Sequence, residues 1–279
     1  MRIPSILFIV ILMFSCSGKG ERNKKNVEEN ENQTISKIEF QSIIDSANLI
    51  GAILIFDFKE RKYYSNDFKW CETGNLPAST FKIPNSIIAL ETGVVDSESF
   101  MFKWNGERRA LKNWEQDLNF KDAFHFSCVP CYQEVARKIG LEQIKEYINK
   151  FKYGEIIVDS NSIDNFWLMG ESKISQYQQI DFLKRFHQSE LPIKKRTEKI
   201  MKNLIVIEAN ENYKISGKTG WSINGQKNNG WFVGYVETTD NVYYFATNVE
   251  PKSNFDMDMF PMIRKKVTYE AFKKMKIIK

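Results

Sequence analysis

The chain has 279 residues, of which 42% are hydrophobic, enough for the core of one large domain or of two closely packed lobes. The formal net charge is +5 at pH 7, and the basic residues are scattered among acidic ones. Such mixing is typical of a solvated surface rather than of a nucleic-acid-binding face, so no nucleic-acid partner is expected.

The first 16 residues have the pattern of a bacterial export signal. Arg2 precedes an apolar run from Ile6 to Phe14, and small residues flank Cys16. The run is too short to be a membrane span. Ser15-Cys16 resembles a lipobox, in which Cys16 would become a lipid-modified first residue, whereas Phe14 fits that motif poorly and favours cleavage and release. We therefore expect an exported protein, periplasmic or held at a membrane only through a lipid on Cys16.

Residues 17–36 and 37–279 differ in composition. The first segment is rich in Asn, Glu and Lys and is predicted to be a flexible tether, whereas the second has the patterns of a folded domain. Those patterns predict a helix over 38–47, strands over 51–58 and 61–65, mostly helices over 79–201, strands over 213–220, 230–236 and 242–247, and a last helix over 261–276. This order predicts an α/β (α+β) fold: one antiparallel sheet built from both chain ends and flanked by helices, with a mainly helical second lobe.

Ser79 and Lys82 are the strongest candidate catalytic pair. Their spacing places a hydroxyl and an amine on one face of a helix, and Pro84 suits the first turn of a helix that opens at Ser79. Lysine can act as a base when burial disfavours its charged form, and Phe81 and Ile83 supply apolar surroundings. Taken alone, Ser-x-x-Lys is common, and a serine at a helix start is often only an N-cap.

Two further candidates lie in the helical segment. Ser127, in the motif Ser127-Cys128-Val129, is a second serine that could relay a proton to a leaving nitrogen. Trp167 is in a polar loop, where its indole N–H needs a partner if it is buried. The alternative for Trp167 is a core aromatic residue.

The last candidates follow the C-terminal strands. Lys218-Thr219-Gly220 presents a cation and a hydroxyl at the end of a strand, and its glycine lets a ligand approach the backbone. Arg264 can form a bidentate contact with a carboxylate. Together these residues suit a small acidic substrate.

The histidines and cysteines do not form a second kind of site. His125 and His187 lie in no recognisable triad or metal motif. Cys128 and Cys131 are spaced like a redox motif or half of a metal site, but no second cysteine pair or histidine cluster accompanies them, so no metal is expected. We interpret both as small buried residues in preference to a functional thiol pair.

Taken as a set, these motifs resemble those of class D, oxacillinase-type serine beta-lactamases. Ser79-Thr80-Phe81-Lys82, Ser127-Cys128-Val129, Tyr153-Gly154, Trp167 and Lys218-Thr219-Gly220 occur in that family's order. The segments 102–106, 112–118 and 191–197 are also similar, and the resemblance runs from Ile53 to the end of the chain. It implies the serine beta-lactamase and penicillin-binding-protein fold, with residues 37–279 as the catalytic domain.

The resemblance also implies a mechanism of beta-lactam hydrolysis, and with it antibiotic resistance. Ser79 would form an acyl-enzyme, with the N–H groups of Ser79 and Trp221 as the oxyanion hole. Lys82 would be carboxylated by carbon dioxide to N6-carboxylysine, the general base, so bicarbonate is needed but no metal or organic cofactor.

The resemblance assigns roles to the remaining candidates as well. Trp167 would hydrogen-bond the carbamate, and Ser127 would protonate the lactam nitrogen. Val129, Lys218, Thr219, Gly220, Trp221 and Arg264 would bind the substrate, with Lys218, Thr219 and Arg264 at its carboxylate.

One departure and three alternatives remain. The family usually has asparagine where this chain has Glu155. A penicillin sensor or a cell-wall transpeptidase or carboxypeptidase shares the main motifs but turns over slowly, and a noncatalytic surface lipoprotein is disfavoured because Ser79 and Lys82 are intact. The match at 112–118 and Trp167 favour the lactamase, whereas the sequence predicts neither the range of beta-lactams hydrolysed nor the oligomeric state.

Overall fold

The computed structural model describes residues 32–279. The predictions of an export signal over residues 1–16, of a lipid on Cys16 and of a tether up to residue 31 lie outside the described residues. Among the helices of residues 32–279, none combines the length and apolar character needed to cross a membrane.

The described residues form nine strands and nine α-helices. The strands are β1 (Gln33–Ser36), β2 (Leu49–Asp57), β3 (Lys62–Ser65), β4 (Met101–Phe102), β5 (Leu118–Asn119), β6 (Val206–Ala209), β7 (Tyr213–Asn224), β8 (Lys227–Thr238) and β9 (Val242–Pro251). The helices are α1 (Ile38–Ser46), α2 (Phe68–Glu72), α3 (Lys82–Thr92), α4 (Phe120–His125), α5 (Val129–Ile139), α6 (Leu141–Phe151), α7 (Gln176–His187), α8 (Lys195–Leu204) and α9 (Phe260–Lys274).

Seven strands form one sheet in the order β1-β3-β2-β9-β8-β7-β6. Strands from both ends of the chain meet where β2 pairs with β9, so the predicted sheet built from both ends is confirmed. Its pairings are antiparallel except that of β1 with β3, which is parallel. The predicted antiparallel sheet is therefore confirmed for the strands β3 to β6 of this order, and the edge strand β1 makes the whole sheet mixed.

Strand β1 also corrects the predicted tether. Residues 33–36 were expected to belong to the flexible segment, but they pair in register with Lys62–Ser65. The β-branched residues Thr34 and Ile35 favour a strand, and the side chain of Ile35 is half-buried. The strand was missed because it is only four residues long, lies in a polar segment and pairs with residues almost 30 positions later.

Both faces of the sheet are covered. On one face α1 and α9 pack against residues such as Ile53, Phe232 and Phe245, and on the other face the helical lobe packs against Trp231 and Tyr235. Because neighbouring strand residues point to opposite faces, a strand covered on both sides is apolar throughout. The candidate site lies on the side of the helical lobe.

Candidate active site

Ser79 lies in a tight turn that leads into α3. Residues 78–81 form a 3-10 helix and the α-helix begins at Lys82, so the helix predicted to open at Ser79 has a first turn of 3-10 type. The Ala78 N–H donates to the Trp167 carbonyl (2.8 Å), and Thr80 Oγ1 donates to the Pro77 carbonyl (2.6 Å). These bonds hold the turn, in which Ser79 is only 8% exposed.

Strand β7 passes close to this turn because Gly220 has no side chain. A Cβ atom on Gly220 would lie 3.1 Å from the Pro77 carbonyl oxygen and 3.2 Å from the Thr80 nitrogen. The indole N–H of Trp231 donates to the carbonyl of Leu76 (2.8 Å), just upstream. The sheet and the Ser79 turn are thereby brought together, and the Lys218-Thr219-Gly220 motif forms one wall of the site.

Lys82 is buried at the start of α3. Its side chain is 1% exposed, and Nζ lies 4.4 Å from the ring centroid of Tyr132. Burial, and secondarily the positive charge of Lys218, holds the pKa of Lys82 well below its ordinary value. The neutral amine is therefore favoured, which is the form that can act as a base or nucleophile.

Trp167 packs in an aromatic cluster around Phe81, the residue that precedes Lys82. The ring of Phe81 lies 5.8 Å from that of Trp167, 4.8 Å from that of Phe166 and 5.8 Å from that of Tyr153. Within residues 32–279, the indole nitrogen of Trp167 and Nζ of Lys82 are both buried without a hydrogen-bond partner. A buried group left unpaired costs about 1–3 kcal/mol, so two such atoms in one site need an explanation.

Ser127 is held between α4 and α5, facing Lys218. Its backbone has φ of +54°, a left-handed conformation that is uncommon for a residue with a side chain. The ammonium of Lys218 donates to Ser127 Oγ. Burial first, and then the charges of Arg264 and Lys265, lower the pKa of Lys218 to about 7. Lys218 can therefore lose or take up a proton near neutral pH.

Arg264 reaches the site from α9. Its guanidinium donates to the carbonyls of Phe260 (3.1 Å) and Pro261 (3.1 Å) and to that of Gly220. A Cβ atom on Gly230 would lie 2.5 Å from Cδ of Arg264, so the missing side chain of Gly230 makes room for this arginine. The structure brings Arg264 to the Lys218–Gly220 strand, and its role at a substrate carboxylate stays a prediction.

The cysteines next to Ser127 are joined. Cys128 and Cys131 form a disulfide across the first turn of α5, so the interpretation that they are merely small buried residues is wrong, although both are buried. Their Cα atoms are 5.4 Å apart, within the range that a disulfide spans. Val129 lies between them as the half-buried first residue of α5.

Sequence reasoning missed Tyr132 and Asn85. Tyr132 lies beneath Lys82, and its hydroxyl shares a hydrogen bond with Ser86 (2.7 Å), whereas Asn85 is buried with both amide atoms unpaired among the residues described. Neither stands out in the sequence, except that Asn85 is a polar residue in an apolar helix. The departure at Glu155 involves an exposed side chain, since this residue bonds to Lys173 through its backbone (2.8 Å).

In the part of the chain that the structure describes, no three His, Cys, Asp or Glu side chains cluster in a way that could hold a metal ion. The groups assembled around Ser79 are instead a candidate hydroxyl nucleophile, a buried lysine whose pKa is lowered, and a second hydroxyl bonded to another lysine. Such an arrangement suits acyl transfer through a serine.

Comparison with known proteins agrees with this chemistry. A model of the penicillin binding protein transpeptidase domain matches residues 24–269. Beta-lactamase OXA-48 from Klebsiella pneumoniae is 38% identical over 228 residues, 82% of this chain and 84% of the relative. Beta-lactamase OXA-10 from Pseudomonas aeruginosa is 40% identical over 203 residues, 72% of this chain and 76% of the relative. A class D beta-lactamase structure from Sebaldella termitidis has a TM-score of 0.84 at 36% identity, covering 89% of this chain and 100% of that chain.

The fold is that of the penicillin-binding proteins and serine beta-lactamases. Within this group the chain belongs to the class D beta-lactamases, hydrolases that act on beta-lactams. The predicted family, fold and enzyme class are therefore confirmed.

Proposed function

We propose that this enzyme opens beta-lactam antibiotics with a carboxylated Lys82 as its general base, and that it thereby confers antibiotic resistance. The observation that carries the proposal is the pair of buried atoms without partners, Nζ of Lys82 and Nε1 of Trp167. A carboxyl group on the lysine would supply the acceptor that the indole N–H lacks.

Acylation uses the groups around Ser79. The Lys82 side chain takes the hydroxyl proton, and Ser79 Oγ attacks the lactam carbonyl carbon. The N–H groups of Ser79 and Trp221 stabilise the oxyanion. The carbon–nitrogen bond then breaks, and Ser127 gives a proton to the departing nitrogen while Lys218 donates to Ser127 Oγ.

Substrate binding uses the strand wall and α9. Lys218, Thr219 and Arg264 bind the carboxylate of the beta-lactam, for which a cation and a guanidinium are suited. Gly220 and Trp221 present backbone to the substrate, and Val129 contributes an apolar contact on the opposite side of the cleft. The ester is hydrolysed when the Lys82 side chain takes a proton from the attacking water.

The surroundings of Lys82 suit carboxylation. The neutral amine forms a bond to the carbon of carbon dioxide and releases a proton, and the resulting carbamate supplies an anionic base. Burial favours the neutral amine. The indole N–H of Trp167 then donates to a carbamate oxygen on Lys82. No metal or organic cofactor is required by this chemistry.

Turnover of a penicillin should be followed with and without bicarbonate, recording both ring opening and the intact mass of the protein. We expect repeated turnover that rises with bicarbonate. A single persistent acyl adduct would indicate a penicillin sensor or a transpeptidase. Turnover that does not depend on bicarbonate would contradict the carboxylation of Lys82.

We also propose that the protein is exported, with Cys16 as a lipid attachment site. The support is the sequence pattern of residues 1–16. Labelled palmitate should enter the full-length protein but not Cys16→Ala. Equal labelling of the two would reject the lipid anchor and favour release into the periplasm.

A further inference from the structure

The first turn of α5 is covalently closed next to the active site. The disulfide joins Cys128, the residue that follows Ser127, to Cys131. The Cys131 N–H also donates to Cys128 Sγ (3.3 Å). The crosslink therefore determines the path of the chain where it leaves Ser127 and enters the helix.

Ser127 depends on that path because its own backbone conformation is unfavourable. Its left-handed φ of +54° is rarely adopted by residues with a Cβ. On one side the Ser127 N–H donates to the Phe124 carbonyl (3.1 Å), and on the other the Cys128 N–H donates to the Ala123 carbonyl (2.9 Å). The α4 end of the segment is hydrogen-bonded, and its α5 end is fixed by the disulfide.

We propose that the Cys128–Cys131 disulfide is a positioning element for Ser127, and that its reduction slows acylation. The proposal rests on the proposed function, in which Ser127 protonates the departing nitrogen. The oxidised turn keeps Ser127 Oγ on the ammonium of Lys218. With the crosslink removed, Ser127 can relax toward an ordinary backbone conformation, which moves the hydroxyl away from the reacting nitrogen.

The disulfide borders a small cavity, and its reduction by thiols follows ordinary exchange chemistry. Cys128 and Cys131 line a cavity of about 40 Å³ beside Trp114 and Glu134, and Cys131 is 8% exposed. A thiolate attacks one sulfur and breaks the S–S bond, and a second thiolate releases the mixed disulfide. Two external thiols are oxidised to one disulfide, and their electrons and protons leave two cysteine thiols in the protein.

The test separates acylation from deacylation in single-turnover measurements on the full chain, oxidised and after treatment with dithiothreitol. We expect acylation to fall roughly tenfold on reduction, because misplacing a catalytic group by about 1 Å can cost as much as 10²-fold. Deacylation should change less than about twofold, because Ser127 acts on the departing nitrogen. A purely structural role would change both rates or the fraction of enzyme that can be acylated.

Variants show whether this disulfide is responsible. Cys128→Ser/Cys131→Ser should acylate as slowly as the reduced enzyme and should not respond to dithiothreitol. The control Cys71→Ala removes the free buried cysteine and should respond as the unmodified enzyme does. Thiol counting confirms that reduction has occurred, and thermal melting confirms that each protein is folded.

The outcomes distinguish the two proposals. Unchanged acylation in an enzyme shown to be reduced would overturn the positioning role and leave the proposed function intact. Failure of both the oxidised and the reduced enzyme to form an acyl adduct would overturn the proposed function and this inference with it.

Discussion

The two faces of the sheet differ in how completely their buried polar groups are paired. On the face covered by α1 and α9, the hydroxyls of Thr247 and Thr268 share a hydrogen bond (2.6 Å), and Thr268 also donates to the carbonyl of Arg264 (2.9 Å). On the face covered by the helical lobe, the described structure leaves polar atoms of Lys82, Trp167 and Asn85 buried without partners.

The paired groups contribute to stability, whereas the unpaired groups lie at the candidate active site. Satisfied pairs stabilise a fold, whereas buried groups without partners destabilise it unless a ligand or modification completes them. A site that needs a neutral lysine must bury that lysine and accept the cost. Changes on the lobe face should therefore alter catalysis strongly, whereas changes on the other face should alter stability, except at Arg264 and Gly230, where α9 reaches the site.

The largest effect is expected from Ser79→Ala. Loss of the nucleophile should lower turnover by on the order of 10⁴-fold or more, while the melting temperature changes little because only one hydroxyl is removed. Penicillin turnover and intact mass measure the effect. A covalent penicillin adduct retained by the variant would place the nucleophile elsewhere.

Lys82→Met should separate activity from stability most clearly. Turnover should be lost and bicarbonate should not restore it, yet the free energy of unfolding without bicarbonate should increase by roughly 1 kcal/mol, because an unpaired buried amine is replaced by an apolar group of similar length. Denaturant unfolding measures the gain. Lys145→Met, at an exposed position of α6, is the matched control and should change neither quantity. A destabilised Lys82→Met would remove the contrast between the faces.

Acid should weaken the carboxylation of Lys82. Burial lowers the pKa of Lys82 in the folded protein, so the amine is neutral above that depressed value and protonated below it. Only the neutral amine reacts with carbon dioxide, and the reaction releases a proton. The concentration of dissolved carbon dioxide that gives half-maximal turnover should rise by about tenfold or more for each unit that the pH falls. A requirement independent of pH would contradict this account.

Gly230→Ala should act across the sheet through Arg264. The new Cβ would lie 2.5 Å from Cδ of Arg264 and 2.8 Å from Cζ of Phe260, displacing the arginine from Gly220. We expect KM for a penicillin to rise about threefold to tenfold with a smaller change in kcat, the pattern of lost substrate binding.

The control is the pair Arg264→Ala and Gly230→Ala/Arg264→Ala. If Gly230 acts through the arginine, the double variant should match Arg264→Ala. If the increases in KM of the two single variants add in the double variant, Gly230 affects the site by a route other than Arg264.

Thr247→Val should have the smallest catalytic effect. The variant removes one hydroxyl of a satisfied pair and should lower the free energy of unfolding by about 1 kcal/mol, or the melting temperature by about 2–4 °C. Turnover should stay within twofold. A large loss of activity without a loss of stability would reverse the comparison of the two faces.

The sequence reveals this site where the signal is local. Ser79 and Lys82 are three residues apart, and Lys218–Gly220 is continuous, so their chemistry can be recognised before any fold is known. The order of such motifs identified the family, and apolar patterns predicted the strands β2, β3, β7, β8 and β9, the helices α1 and α9, and the mainly helical character of residues 79–201.

Features created by packing were not accessible in the same way. The contact of Tyr132 with Lys82, the parallel pairing of β1 and the bond of Arg264 to the Gly220 carbonyl depend on parts of the chain that are far apart in sequence. The disulfide of Cys128 and Cys131 was missed because the spacing was compared with metal sites, whereas its relevant neighbour is Ser127.

The pairing of β2 with β9 has a consequence for how the enzyme comes into being. Ile53 lies opposite Thr247, so the centre of the sheet closes only when early and late parts of the chain find each other, a slow step in folding. The helices of the lobe pack on partners that are nearer in sequence, since α3 contacts α5, α6 and α8. A newly made chain in which Ser79 and Lys82 already lie on a helix is therefore inactive until strand β7, which carries Lys218, has joined the sheet.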